Sequence, residues 1–186
     1  MRLSKTIAAI AVVFIVCFAG IALFVRGHGF SAREEPSSAE TYVARKLRSF
    51  AIPADIRRAS NPVEPTELAV AEARDHFADH CAVCHANNGS GQTEMGGNLY
   101  PPAPDMRTPV TQNLSDGELF YIIRNGVPFT GMPGWGGEDS ENWKLVLFIR
   151  HLPKILPVEL EFMDEINHLG TGHGTTKTNP ERERKE

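Results

Sequence analysis

Cysteine is scarce in this sequence. Three thiols among 186 residues are too few to staple a small domain with disulfides. Positive charge is not in excess either. Nineteen Lys and Arg face 23 Asp and Glu, for a formal net charge of −4. No stripe of Lys and Arg interleaved with aromatics is visible, so a nucleic-acid partner is not expected. Alternating strand patterns and internal repeats are missing as well, which leaves an all-α expectation. Composition is otherwise that of a globular protein, which argues against wholesale disorder.

Long apolar runs occur once. Residues 7–25, "IAAIAVVFIVCFAGIALFV", contain no polar interruption. Nineteen residues at the helical rise span about 28 Å, close to the hydrocarbon thickness of a bilayer. The run exceeds the usual apolar core of a cleaved signal peptide, although "FSA" at 30–32 offers a late cleavage site. Residues 1–30 are therefore expected to be a membrane anchor, with a signal peptide as the alternative. Arg2 and Lys5 favour a cytoplasmic N-terminus, while Arg26 and Arg33 weaken that bias. Cys17, inside the run, reads as a small apolar residue.

Residues 31–65 form a proline-broken linker. Within it, "AETYVARKLRSF" places Val43, Leu47 and Phe50 at helical spacing. This short amphipathic helix could lie near a membrane surface, but docking on the following domain is the preferred expectation. Residues 66–157 carry three helical patterns. The first is "TELAVAEARDHFADH", capped by Thr66. The second is "LSDGELFYIIRNG", opened by a Ser115–Glu118 capping box and stopped at Asn125–Gly126. The third is "ENWKLVLFIRHL", with Ser140 as its expected cap and Pro153 as its stop. Two long Gly/Pro loops separate them, and loops of that length in a compact domain are usually functional. Residues 158–186 read as a polar, disordered tail.

The remaining two cysteines lie in "CAVCH", residues 81–85. C-x-x-C-H is the attachment signature of c-type haem. Two thiols three positions apart can reach one edge of a flat porphyrin, and the adjacent imidazole then lies over one face. A structural zinc site would need a fourth ligand beyond Cys81, Cys84 and His85. A thioredoxin-like dithiol would need a βαβ context, and a disulfide would close only a tiny loop.

A sixth ligand could come from Met95, Met106, Met132 or Met163. Met95 is too near His85 in sequence to cross the ring easily, Met106 sits among prolines, and Met163 lies beyond the last expected helix. Met132, in "FTGMPGWGG", lies on a loop that can return over the site. Gly131 permits close approach there and Pro133 stiffens the turn. Histidine ligation by His76, His80, His151, His168 or His173 is the alternative, and it would lower the potential relative to His/Met ligation.

In order, the stretches "CAVCHANNGSG", "LYPPAPDM", "LSDGELFYIIRNG", "TGMPGWG" and "WKLVLFIRHLP" make residues 66–157 resemble class I monohaem c-type cytochromes of the membrane-anchored bacterial kind. The resemblance implies an all-α cytochrome c fold of three or more helices, with long loops around one covalently attached haem c. It implies that Cys81 and Cys84 form the thioethers, that His85 is the proximal ligand and that Met132 is the distal one. It further implies a proline carbonyl accepting from the His85 ring, with Pro101 and Pro102 as candidates. Tyr100 and Trp135 are candidates for the haem propionates.

Two axial ligands would leave no open position for a small-molecule substrate at the iron. The expected function is one-electron transfer rather than catalysis, either alone or within a respiratory or dehydrogenase complex. The alternative is a haem-based gas or redox sensor in which Met132 is displaced. Bacterial haem attachment occurs outside the cytoplasmic membrane, so the domain is expected on the periplasmic face. Residues 66–157 hold eleven acidic against six basic side chains, which predicts redox partners with a basic docking surface.

Overall fold

Helix formation in this chain follows its caps and its apolar spacing. The structure, a computed structural model, describes residues 2–29 and 31–167. Two compact units divide it, Met1–Ala32 and Arg33–Glu186. All regular structure among the described residues is helical.

The first unit is helix α1, Arg2–His28. Its stretch Lys5–Gly27 is long and apolar enough to cross a membrane, and none of it is buried within the protein.

The second unit begins with α2 (Ser38–Ala51), which is capped by the Ser37 side chain. A single turn, α3 (Ala54–Arg57), follows. Helix α4 (Glu67–His76) is capped by Thr66, whose hydroxyl accepts from the Ala69 N–H at 3.1 Å. It runs into a π-helical turn, Phe77–Cys81, and then into α5 (Ala82–His85). Two more single turns, α6 (Glu94–Gly97) and α7 (Pro109–Gln112), punctuate the long loop. Helix α8 (Asp116–Asn125) has the full Ser115–Glu118 capping box. Helix α9 (Asp139–His151) starts after Glu138, so Ser140 lies inside its first turn and is not its cap. A 3₁₀ turn, Leu152–Lys154, carries the chain past Pro153.

A last helix, α10 (Pro157–Ile166), occupies the start of the segment that the sequence reading leaves without periodicity. Met163 on this helix is fully buried. Asn87 donates to Asp164 at 2.6 Å, and the Glu159 carboxylate accepts from the Leu156 N–H. The expected disorder therefore does not hold for 158–166. Residues 168–186 lie outside the described residues.

The core lies where α4 and α8 pack on α9. Phe77 and Phe148 meet with ring centroids 5.1 Å apart, and both are fully buried. Burying a side chain of that size contributes roughly 1.5–3 kcal/mol relative to exposure. Phe120 of α8 stacks on Trp143 of α9 at 4.2 Å. Arg150 closes the far end of α9: its guanidinium donates to the Gln112 and Leu114 carbonyls and to Asp116.

Candidate haem site

The C-x-x-C-H residues leave the core at the end of the longest continuous helical run in the second unit. The π turn before them widens the helix by one residue per turn, an irregularity that recurs at functional sites. Cys81, Cys84 and His85 then share a single turn. Ala86, with φ +60°, ends α5 and sends the chain into the loop.

That loop folds back as a strap around the backbone of the motif. The Gly91 N–H donates to the His85 carbonyl at 2.8 Å. The Thr93 hydroxyl donates to the Cys84 carbonyl at 3.1 Å and caps α6 by accepting from the Gly96 N–H at 2.8 Å. Ala103 N–H to Gly96 carbonyl and Met106 N–H to Gly89 carbonyl close the strap. Two glycines make the approach possible. A Cβ on Gly96 would lie 2.1 Å from the Cys84 carbonyl oxygen, and one on Gly91 would lie 2.3 Å from that of Ala103. Gly91 also has φ +71°, a conformation that glycine adopts without strain.

His85 is the buried centre of this arrangement, with 7% of its surface exposed. Burial holds its pKa down, to about 4, against a smaller upward pull from the Pro104 carbonyl. The ring is therefore neutral at physiological pH, the form that binds a metal. Its Nδ1 is shielded from solvent and has no partner that satisfies hydrogen-bond geometry, so the Pro104 carbonyl sits near without completing the bond. The proline that faces the ring is thus Pro104, and the candidates Pro101 and Pro102 are displaced by register. The backbone between Gly89 and Met106 is pinned at both ends, which brings the third proline of the run inward.

The thiols are not activated. Burial first, and Cys84 second, push the Cys81 thiol up to about 12, and burial raises Cys84 as well. Reactive dithiols show the opposite shift. Among the described residues, no three His, Cys, Asp or Glu side chains converge as they would around a structural ion. A dry, neutral imidazole with a free edge, beside two protonated thiols on one turn, fits a porphyrin that is attached at its rim and ligated at its centre.

Met132 sits half-buried on the second long loop. Its N–H donates to the Thr130 hydroxyl and its carbonyl accepts from the Val127 N–H, both at 3.1 Å. Gly126 and Gly134 meet so closely that a Cβ on Gly126 would lie 2.5 Å from the Gly134 nitrogen. A Cβ on Gly131 would lie 2.6 Å from the Leu99 side chain, so this loop lies against the strap that holds His85. Asn142, 3% exposed, fastens the loop to α9 by donating to the Gly136 carbonyl at 2.6 Å.

The rival ligands have other surroundings. Met106 and Met163 are core residues, and Met95 is exposed on α6. His76 and His80 lie 4.9 Å apart, and His80 meets the edge of Trp135. His151 pairs with Glu159. Tyr100 donates to Glu40 at 2.5 Å and is engaged by α2. His168 and His173 lie outside the described residues. Sequence reasoning missed the clamp made by Thr93 and Gly96. Its signal was a Thr three residues before a Gly, which is also an ordinary turn pattern.

Residues 68–149 match the family described as cytochrome c oxidase, cbb3-type, subunit III. A curated protein of Rhizobium leguminosarum bv. viciae, the cbb3-type cytochrome c oxidase subunit FixPc, is 33% identical over 92 residues. That stretch covers 47% of this chain and 30% of the relative, so the chain spans about a third of the length of the curated protein it matches. Taken with the C-x-x-C-H turn and the all-helical core, these matches support a monohaem c-type cytochrome domain over residues 68–149, with a covalently bound c-type haem.

Proposed function

We propose that the protein is a one-electron carrier on the periplasmic face of the cytoplasmic membrane, working as a subunit or a direct donor of a respiratory oxidase complex. Cys81 and Cys84 would hold the haem by thioether bonds, and His85 and Met132 would supply the ligands to its iron. The haem supplies reversible Fe(II)/Fe(III) cycling. The chain's own contribution is to fix the ligands and keep water away. The strap through Gly91, Thr93 and Gly96 immobilises the backbone of the attachment turn, so that little rearranges between oxidation states. The Pro104 carbonyl, beside the ring, would accept from Nδ1–H and raise the basicity of the ligating nitrogen.

The observation that carries this reading is His85, dry, neutral and held by its own carbonyl against Gly91. Met132 is supported by elimination. Met106 and Met163 are committed to the core, whereas the Met132 loop lies against Leu99 of the strap. The relative's place in a cbb3-type oxidase supports the respiratory assignment.

Absorbance of the ferric protein tests the ligation. Thioether-ligated ferric haem has a weak long-wavelength charge-transfer band. The band is expected in the wild type and should vanish in Met132→Ala, and the reduced variant should bind CO rapidly. Survival of the band in that variant would refute Met132. Rapid CO binding by the wild type would favour a sensor in which the ligand is displaced. The excess of acidic side chains in 66–157 predicts electron-transfer rates to a basic partner that fall as salt is added. Rates indifferent to ionic strength would count against a charged docking face.

A further inference from the structure

Helix α2 docks on its domain the wrong way round for an amphipathic helix. Its inward edge is polar: Thr41, Arg48 and Ser49 are half-buried, and Ser49 donates to Glu118 at 3.0 Å. Glu40 accepts from Tyr100, which fixes the other end of the helix to the haem-side loop. Burial lowers the Arg48 pKa, and nearby Arg45 lowers it further.

The opposite face is apolar and uncovered. Val43, Leu47 and Phe50 fall at i, i+4 and i+7, and are 54%, 62% and 84% exposed. Tyr42 flanks them at 64% exposed. An amphipathic helix normally turns such a stripe toward the core. Here the core of the domain is complete without it, and no residue of α2 is buried.

Charge and chain length identify what covers the stripe. Helix α2 carries Arg45, Lys46 and Arg48 against Glu40 alone, while residues 66–157 carry a clear acidic excess. Arg45 and Lys46 are exposed and have no carboxylate partner among the described residues; Lys46 lies over the Tyr42 ring. They line a shallow recess with Pro36, Ser38, Thr41 and Tyr42. An apolar stripe ending in Leu and Phe, with basic residues on the flank and the polar side of the same helix, is the composition of a helix that lies in a membrane interface. Nine residues separate His28, the end of α1, from Ser38, the start of α2. Even fully extended they reach only about 30 Å. That tether includes Glu34 and Glu35 as well as Arg33, so its own charge does not drive adsorption.

We propose that α2 is a second membrane contact. It lies in the headgroup region of an anionic bilayer, with Val43, Leu47 and Phe50 inserted and Arg45 and Lys46 on lipid phosphates. Because Ser49 and Glu40 tie α2 to α8 and to the strap loop, this contact orients the haem-bearing domain on the membrane, which a tether of nine residues alone would leave free to swing. The acidic domain is repelled by the same anionic surface, so α2 selects the side that faces the lipid.

The test uses full-length haem-loaded protein in lipid nanodiscs. Nitroxides are placed by Leu47→Cys or Phe50→Cys in a Cys17→Ser background, with Val158→Cys as the water-exposed reference. In discs containing phosphatidylglycerol, collisions with oxygen should rise severalfold over collisions with a water-soluble nickel chelate at 47 and 50. The ratio should place both labels roughly 5–10 Å below the phosphates. The label at 158 should stay water-like. Arg45→Glu with Lys46→Glu, or discs of phosphatidylcholine alone, should return positions 47 and 50 toward the reference, with the haem spectrum unchanged. Water-like labels at 47 and 50 in anionic discs would overturn the proposal. Protection that appears only when a partner membrane complex is added would overturn it too, and would assign the stripe to a protein interface.

Discussion

Replacing Gly91 by Ala isolates the contact that holds the C-x-x-C-H turn. The new methyl would lie 2.3 Å from the Ala103 carbonyl oxygen and 3.0 Å from that of Pro104, where real Cβ atoms keep at least 3.0 Å. The obstacle is backbone, so no side chain can swing away. Two costs add. Holding a non-glycine residue at φ +71° costs about 1–2 kcal/mol. Forcing the strap outward is an overpacking event, typically about 1–3 kcal/mol. The expected loss is about 2–5 kcal/mol, a large share of the roughly 5–15 kcal/mol that stabilises a typical domain. Guanidinium unfolding of the ferric holoprotein, followed in parallel by the Soret band and far-UV circular dichroism, measures it. Gly97→Ala is the control, because a Cβ there meets nothing within 4 Å, and its effect should stay within about 0.5 kcal/mol. If Gly91→Ala unfolds at the same midpoint as Gly97→Ala, the strap does not hold the site as argued.

Two further substitutions test other parts of the fold. In Gly117→Ala the new Cβ would lie 1.8 Å from the Ile56 carbonyl, so α3 must leave α8. Helix propensity alone predicts a gain of about 1 kcal/mol from this change; the structure predicts a loss, with earlier proteolysis near residue 57, and a stabilised variant would refute the docking of the linker. Burial raises the Glu159 pKa, but His151, the Leu156 N–H and Arg74 together pull it below its ordinary 4.5. A depressed carboxylate pKa gives stability that is present above the ordinary value and is lost as pH falls through the folded one. Glu159→Gln should therefore lower stability at neutral pH, where the ionised carboxylate contributes, and flatten the acid limb of the stability curve below about pH 4.5; an unaltered acid limb would show that the carboxylate does not hold α10.

Much of the architecture was legible because it depends on neighbours in sequence. Thr66 and the Ser115–Glu118 pair announced two helices, since a cap needs only residues three apart. Helix α10 was not legible. Four of its ten residues are acidic, and the group that decides it, Met163, is buried by contacts with elements far earlier in the chain. Ser140 and Glu138 are both plausible starts for α9, and the pull of Asn142 toward Gly136 and Glu138 belongs to the folded loop. The amphipathic pattern of α2 was visible, and so was its docking on the domain, but not which of its faces makes that contact. Periodicity tells which residues share a face and never which face meets the domain.

The attachment turn stands on the sequence alone. Two thiols and an imidazole within five residues share one turn whatever surrounds them, and that locality makes the C-x-x-C-H signature readable. What needed tertiary structure was everything set by long-range register. The strap puts Pro104, rather than Pro101 or Pro102, beside His85. The return of the second loop sets Gly131 on Leu99. The docking of α2 leaves Phe50 facing outward. Each depends on backbone pairings between residues distant in the chain, and no local pattern of side chains encodes those.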